Sequence, residues 1–168
     1  MTSKMKRQSI AGFITLCFAV FLSCAATAIA AQAQTFTTLV NFDGTNGTTP
    51  DTPLVQGRDG NLYGTTLAGG TNNGGGCAAG CGTIFKVTPA GAFTVLYNFC
   101  AQANCSDGSD PRGALVQDVN GDFYGTTFTG GANDFGDVFK ITPAGLLSVL
   151  QSFDYADGED PSGALAIG

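Results

Sequence analysis

GNLYGTTLAGG, residues 60–70, and GDFYGTTFTGG, residues 121–131, are nearly the same eleven residues written twice in one chain. The likeness spreads outward from both copies. PLVQGRDGNLYGTT from Pro53 matches ALVQDVNGDFYGTT from Ala114, and GTIFKVTPAGAFTVLYNF from Gly82 matches GDVFKITPAGLLSVLQSF from Gly136. TTLVNF, ending at Phe42, repeats the segments that end at Phe99 and Phe153. DGEDPSGALAIG near the C-terminus repeats DGSDPRGALVQD. Self-similarity at this spacing is the mark of a repeat architecture. Pro111 to Pro161 gives a unit of 50 residues, whereas Tyr63 to Tyr124 is 61. Two insertions in the first unit restore the difference: seven residues between Gly70 and Phe85, and four between Phe99 and Pro111.

Each unit reads as four short strands. LVQ and LYGTT flank GRDGN or DVNGD, where Asn and Gly suit the positive φ of a hairpin turn. TIFKV and FTVLYNF flank TPAG, a second tight turn. Phe93, Val95, Tyr97 and Phe99 alternate with Thr94, Leu96 and Asn98, the period of a strand. Leu96 recurs as Leu39 and Leu150, so this strand is apolar on both faces and is expected to be covered on both. Four strands in a unit of this length make a propeller blade. The expected fold is therefore all-β: propeller-like four-stranded blades, two complete units with partial units at both ends, and too few blades to close. We divide the chain into a signal segment, 1–33, and a repeat region, 34–168. The latter comprises a partial unit (34–49), unit 1 (50–110), unit 2 (111–160) and the start of a further unit (161–168). Completion would require a longer chain or self-association.

Lys4, Lys6 and Arg7 precede an apolar run from Ile10 to Leu22, and Ala31-Gln32-Ala33 fits a cleavage site. These are the parts of a secretory signal peptide, and no membrane insertion is expected after its removal. All thirteen acids lie beyond it, against only Arg58, Lys86, Arg112 and Lys140 as bases. That balance argues against nucleic acid or an anionic membrane as partner. His is absent, so neither a Ser-His-Asp triad nor an ordinary zinc enzyme site can be assembled.

The combination of YGTT, GG, FK-x-TP-x-G and DG-x-x-P at these spacings resembles the bacterial GloVer repeat, named for Gloeobacter and Verrucomicrobia. The resemblance covers essentially the whole chain after the signal. It implies an exported, propeller-like protein, often held at a cell surface, with no established activity to carry over.

Repeated residues are expected to specify the blade. Tyr63 and Tyr124 read as packing positions, Gly64 and Gly125 as points of close strand approach, and Lys86 and Lys140 as edge or surface charges with buried stems. If the strands alternate in direction, the loops after the second and fourth strand share one end. Both insertions and ten of the thirteen acids fall there. Variable loops on a constant scaffold are where binding usually resides, which makes Asp107, Asp110, Asp157 and Asp160 candidate binding residues. DGSDP and DGEDP suggest calcium, but the full alternating-oxygen spacing is lacking and turn formation is the simpler account. No other cofactor is indicated. The expected function is a non-catalytic binding or structural module with an unknown extracellular ligand. The alternative is a secreted carbohydrate-active enzyme using paired Asp residues.

Cys77, Cys81, Cys100 and Cys105 all lie in the two insertions, and the second unit lacks both insertions and all four cysteines. Export favours disulfides. The C-x3-C and C-x4-C spacings depart from the paired C-x2-C of zinc sites, and no metal is assigned. Local pairs, Cys77–Cys81 with Cys100–Cys105, and a nested arrangement that ties the two loops together both fit the spacing.

Overall fold

A computed structural model describes residues 35–168; the expected signal segment lies outside the described residues. Two four-stranded antiparallel sheets follow in chain order. Blade 1 comprises β1 (Val55–Gln56), β2 (Leu62–Thr66), β3 (Thr83–Val87) and β4 (Phe93–Asn98). Blade 2 comprises β5 (Val116–Gln117), β6 (Phe123–Thr127), β7 (Asp137–Ile141) and β8 (Leu147–Ser152). Each is a simple meander, with every strand hydrogen-bonded to its neighbour in sequence. The sheets do not join into a closed barrel. A single 3-10 turn, Ala103–Cys105, is the helical element among the described residues. The partial unit ending at Phe42 forms no ladder among the described residues.

The registers of the two blades coincide. Tyr63 pairs with Lys86 and Gly64 with Phe85, as Tyr124 pairs with Lys140 and Gly125 with Phe139. Both blades also carry a bulge at one place. Ile84 pairs with Tyr97 but Phe85 with Val95, leaving Leu96 as the extra residue; Val138, Phe139 and Leu150 repeat this. An extra residue resets the strand's alternation, so the expected period-two pattern holds only on either side of the leucine. The backbone at the bulge lies against the next blade. A Cβ on Gly145, in the blade 2 turn, would stand 2.8 Å from the Leu96 carbonyl oxygen. Leu150, at the same place in blade 2, has no later blade against it among the described residues and is 52 % exposed.

Aromatic residues join one blade to the next. Tyr63 lies against Phe123 with ring centroids 4.1 Å apart, and Phe99 meets Phe139 edge-on at 5.3 Å. All four rings are buried. The Tyr63 hydroxyl donates to Asp59 Oδ2 at 2.8 Å, which satisfies the polar end of a buried ring. Burial, reinforced by that carboxylate, pushes the phenol up to about 12, so it remains a donor at neutral pH. Tyr124 repeats the bond with Asp118 at 3.1 Å.

Two expectations change. The close neighbour of Gly64 is a ring rather than a strand: a Cβ there would lie 2.7 Å from Phe85 Cζ and 2.6 Å from Leu54 Cδ2. Gly125 is covered by Phe139 and Leu115 in the same way. A cross-strand aromatic thus fills the space that the glycine leaves open. Lys86 and Lys140 sit on inner strands rather than at an edge; both are partly exposed, in keeping with the surface charge also expected of them, and Lys140 pairs with Asp122 at 3.1 Å. The residue matching Asp122 in blade 1 is the neutral Asn61.

Asp137 opens β7 where blade 1 has Thr83. It is fully buried; Oδ1 accepts from the Ser152 hydroxyl at 2.6 Å and Oδ2 has no partner among the described residues. Burial, together with the nearby charge of Asp107 and against the Ser152 bond, pushes this carboxyl up to about 6. The folded state therefore holds its proton more tightly than the unfolded chain does, and stability falls as pH rises from about 4 to about 6. Asp137→Thr would restore the hydroxyl pair made by Thr83 and Thr66 at 2.8 Å. The variant is expected to gain on the order of 1–3 kcal/mol at pH 7, and to gain much less below pH 4. Urea unfolding at the two pH values checks both sign and window.

Candidate functional site

The hairpin turns between β1 and β2 and between β3 and β4 are short and internally bonded, as in Gly57 N to Asn61 O and Thr88 N to Ala92 O. The opposite end carries residues 67–82, 99–115 and 128–136, the loops that differ between blades. There the structure pairs Cys77 with Cys81 and Cys100 with Cys105, with Cα atoms 5.2 and 4.1 Å apart. The local arrangement is the one adopted. The loops nevertheless converge, since the four sulfurs all lie within 4.8 Å of one another. Gly74 and Gly75 of the first loop lie against the sulfurs of the second. A Cβ on Gly74 would stand 3.2 Å from Cys100 Sγ, and one on Gly75 would run into Cys105 Sγ.

Asp107 is buried under the second loop. Its carboxylate accepts from the Tyr97 hydroxyl at 2.7 Å and from the backbone N–H groups of Ala101 and Gln102 at 2.9 and 3.1 Å. Asp157, its counterpart, accepts from Asp154 N at 2.7 Å and from Gln151 Nε2 at 3.0 Å. Gln151 occupies the position of Tyr97, so the two blades make the same latch with different donors. In both, the carboxylate closes the loop that leaves the fourth strand.

Asp110 and Asp160 precede prolines in left-handed backbone, with φ of 54° and 51°; Thr49, before Pro50, has 55°. Asp tolerates this region better than most side chains. Their amides donate to matching carbonyls, Asp110 N to Cys81 O and Asp160 N to Phe135 O. The DG-x-x-P motif is thus a turn that seats the chain on the preceding loop. The acids before it act locally as well: Asp43 Oδ1 accepts from Thr45 and Asn46, and Asp154 Oδ1 from Ala156 and Asp157. The four candidate acids therefore occupy two separate loops, those that follow β4 and β8, in equivalent pairs.

Two clefts open at this end. The larger, of about 730 Å³, is lined by the glycine run, the second disulfide, Gln102, Asn104, Asn133 and Asp134. The smaller, of about 230 Å³, has Asp110 and Asp134 among its walls. Burial raises the Asp110 carboxyl, an effect that Arg112 partly offsets. Of the candidates, Asp110 faces a cleft and Asp107 supports a wall from within. Gln102, Asn104, Asn133 and Asp134 were not singled out in the sequence. They lie in two loops, 99–115 and 128–136, that meet the glycine run of a third, residues 67–82, only through the stacking of the blades.

Repeated four-stranded meanders, linked by aromatic contacts and bearing variable loops at one end, define an all-β, propeller-like repeat protein that does not close on itself. The model described as the Gloeobacter/Verrucomicrobia repeat matches residues 26–168, and the chain belongs to this family. No curated protein matches it.

Proposed function

We propose that the chain is an exported, non-catalytic binding module whose ligand, a polyhydroxylated one such as a glycan, enters the larger cleft. The observation that carries this reading is the lining of that cleft. Gln102, Asn104 and Asn133 supply amide donors and acceptors, Asp134 supplies a carboxylate, and glycine backbone leaves room between them. Such groups suit neutral hydroxyls, and the acidic balance of the chain disfavours polyanions. Export is supported by the apparent signal peptide and by the two disulfides, which persist in oxidising compartments. Among the described residues no helix is long and apolar enough to cross a membrane.

Asp110 and Asp134 on the walls of the smaller cleft favour a second reading, hydrolysis of a glycosidic bond by paired carboxyls. A glycan array probed with the disulfide-bonded protein, followed by a turnover assay on every glycan bound, separates the two. Binding that Asn133→Ala and Gln102→Ala each weaken at least about tenfold, an interaction loss of roughly 1.4 kcal/mol, is the expected result. Turnover abolished by Asp110→Asn or Asp134→Asn would replace it with the enzymatic reading.

A further inference from the structure

We propose that Cys77, Cys81, Cys100 and Cys105 of the reduced chain form one tetrathiolate site for a thiophilic divalent cation of zinc's class, and that oxidation to the two disulfides abolishes it. Two independent local disulfides would each stiffen their own loop and would have no reason to meet. Here the four sulfurs lie within 4.8 Å of one another although they come from two loops. A tetrahedral ion with Zn–S bonds of about 2.3 Å sets its sulfurs about 3.8 Å apart, within the span observed. Among the described residues, this quartet is the group of metal-ligating side chains close enough to share an ion.

The surroundings are shaped to the cluster. Gly74 and Gly75 bring the backbone of one loop against the sulfurs of the other; a Cβ would be tight at Gly74 and would run into Cys105 Sγ at Gly75. Cys100 and Cys105 themselves sit in left-handed backbone, with φ of 61° and 51°. That geometry is unfavourable for a residue with a Cβ and persists where surrounding interactions hold it. Backbone bonds from Cys100 N to Gly108 O and from Cys105 N to Gln102 O hold the second loop in place, and the Asp107 latch closes it beneath. Both insertions and all four ligands are missing together from the second unit, as expected if the two loops form one device.

Binding would release up to four protons from four thiols, so affinity should rise with pH. Oxidation balances as an exchange. The tetrathiolate-bound cation reacts with two disulfides of an external dithiol–disulfide oxidant, giving two intramolecular disulfides, four external thiolates and the free cation. Disulfide sulfurs carry no thiolate charge, so the oxidised chain cannot hold the ion by these ligands.

The test is a Co²⁺ titration of the full chain, reduced and kept free of oxygen. Expected are one ion per chain and the visible d–d and near-ultraviolet charge-transfer bands of tetrahedral thiolate ligation, displaced by Zn²⁺. Stoichiometric Zn²⁺ should slow alkylation of all four thiols by at least about tenfold, because only the unliganded fraction reacts. Cys77→Ser and Cys105→Ser, one from each loop, should each abolish the tetrathiolate spectrum. The oxidised chain, four hydrogens lighter by intact mass, should show no such bands. A reduced wild-type chain without thiolate bands would overturn the proposal, even if the variants failed to fold. So would a tetrathiolate spectrum unchanged by either substitution, or the same spectrum from the oxidised chain.

Discussion

Phe99→Ala is expected to cost about 3–5 kcal/mol, the usual loss when a buried phenylalanine is cut to a methyl group in a core that cannot collapse around it. Phe99 is buried in its own blade, 5.6 Å from the Tyr97 ring, and meets Phe139 of the next blade at 5.3 Å. Its removal opens the joint between the blades from both sides. Phe153 holds the same place in the repeat but is only half-buried, with no further blade packed on it among the described residues. Phe153→Ala should therefore cost about 1 kcal/mol, in keeping with a partly exposed side chain. Thermal unfolding should separate the two variants by roughly 10 °C. Equal losses would mean that the stacking of blade on blade contributes little.

Asp107→Ala is expected to cost about 3 kcal/mol, since it strands three donors around a buried carboxylate and bonds to charged groups are the stronger ones. The Tyr97 hydroxyl loses its partner inside the protein, and the N–H groups of Ala101 and Gln102 lose the anchor of the second insertion. Loosening that loop should also expose the Cys100–Cys105 bridge, so reduction by a dithiol should be faster in the variant than in the wild type. Asp157→Ala removes the equivalent latch from an exposed site and should stay within about 0.5–1 kcal/mol. Urea unfolding of both variants, with the reduction rate of each, measures the contrast. Comparable losses at Asp107 and Asp157 would show that burial beneath a neighbouring loop does not decide the worth of the bond.

These contrasts mark where a sequence reading stops. The two copies of YGTT, the alternation within each strand and the turns at GRDGN, DVNGD and TPAG determined four strands to a blade, their order and their antiparallel sense. The reason is local: period-two patterning, turn chemistry and short connections allow a meander few alternatives. Repetition also carried the family, because the motifs recur at fixed spacing along nearly the whole chain. The placing of variable loops at one end followed from strand alternation alone, and the clefts are found there. What a repeat cannot display is a difference between equivalent residues. Phe99 and Phe153, Asp107 and Asp157, and Leu96 and Leu150 match one another in sequence, yet the first of each pair is more deeply buried than the second. Burial is decided by the neighbouring blade, through contacts between residues far apart in the chain. The same holds for the cysteines. Their spacing left local and nested bridges equally open, since the margin in loop-closure entropy depends on the model of the unfolded chain and does not decide between them. Only the packing of two loops against each other closed the local pairs and still brought all four sulfurs to one point.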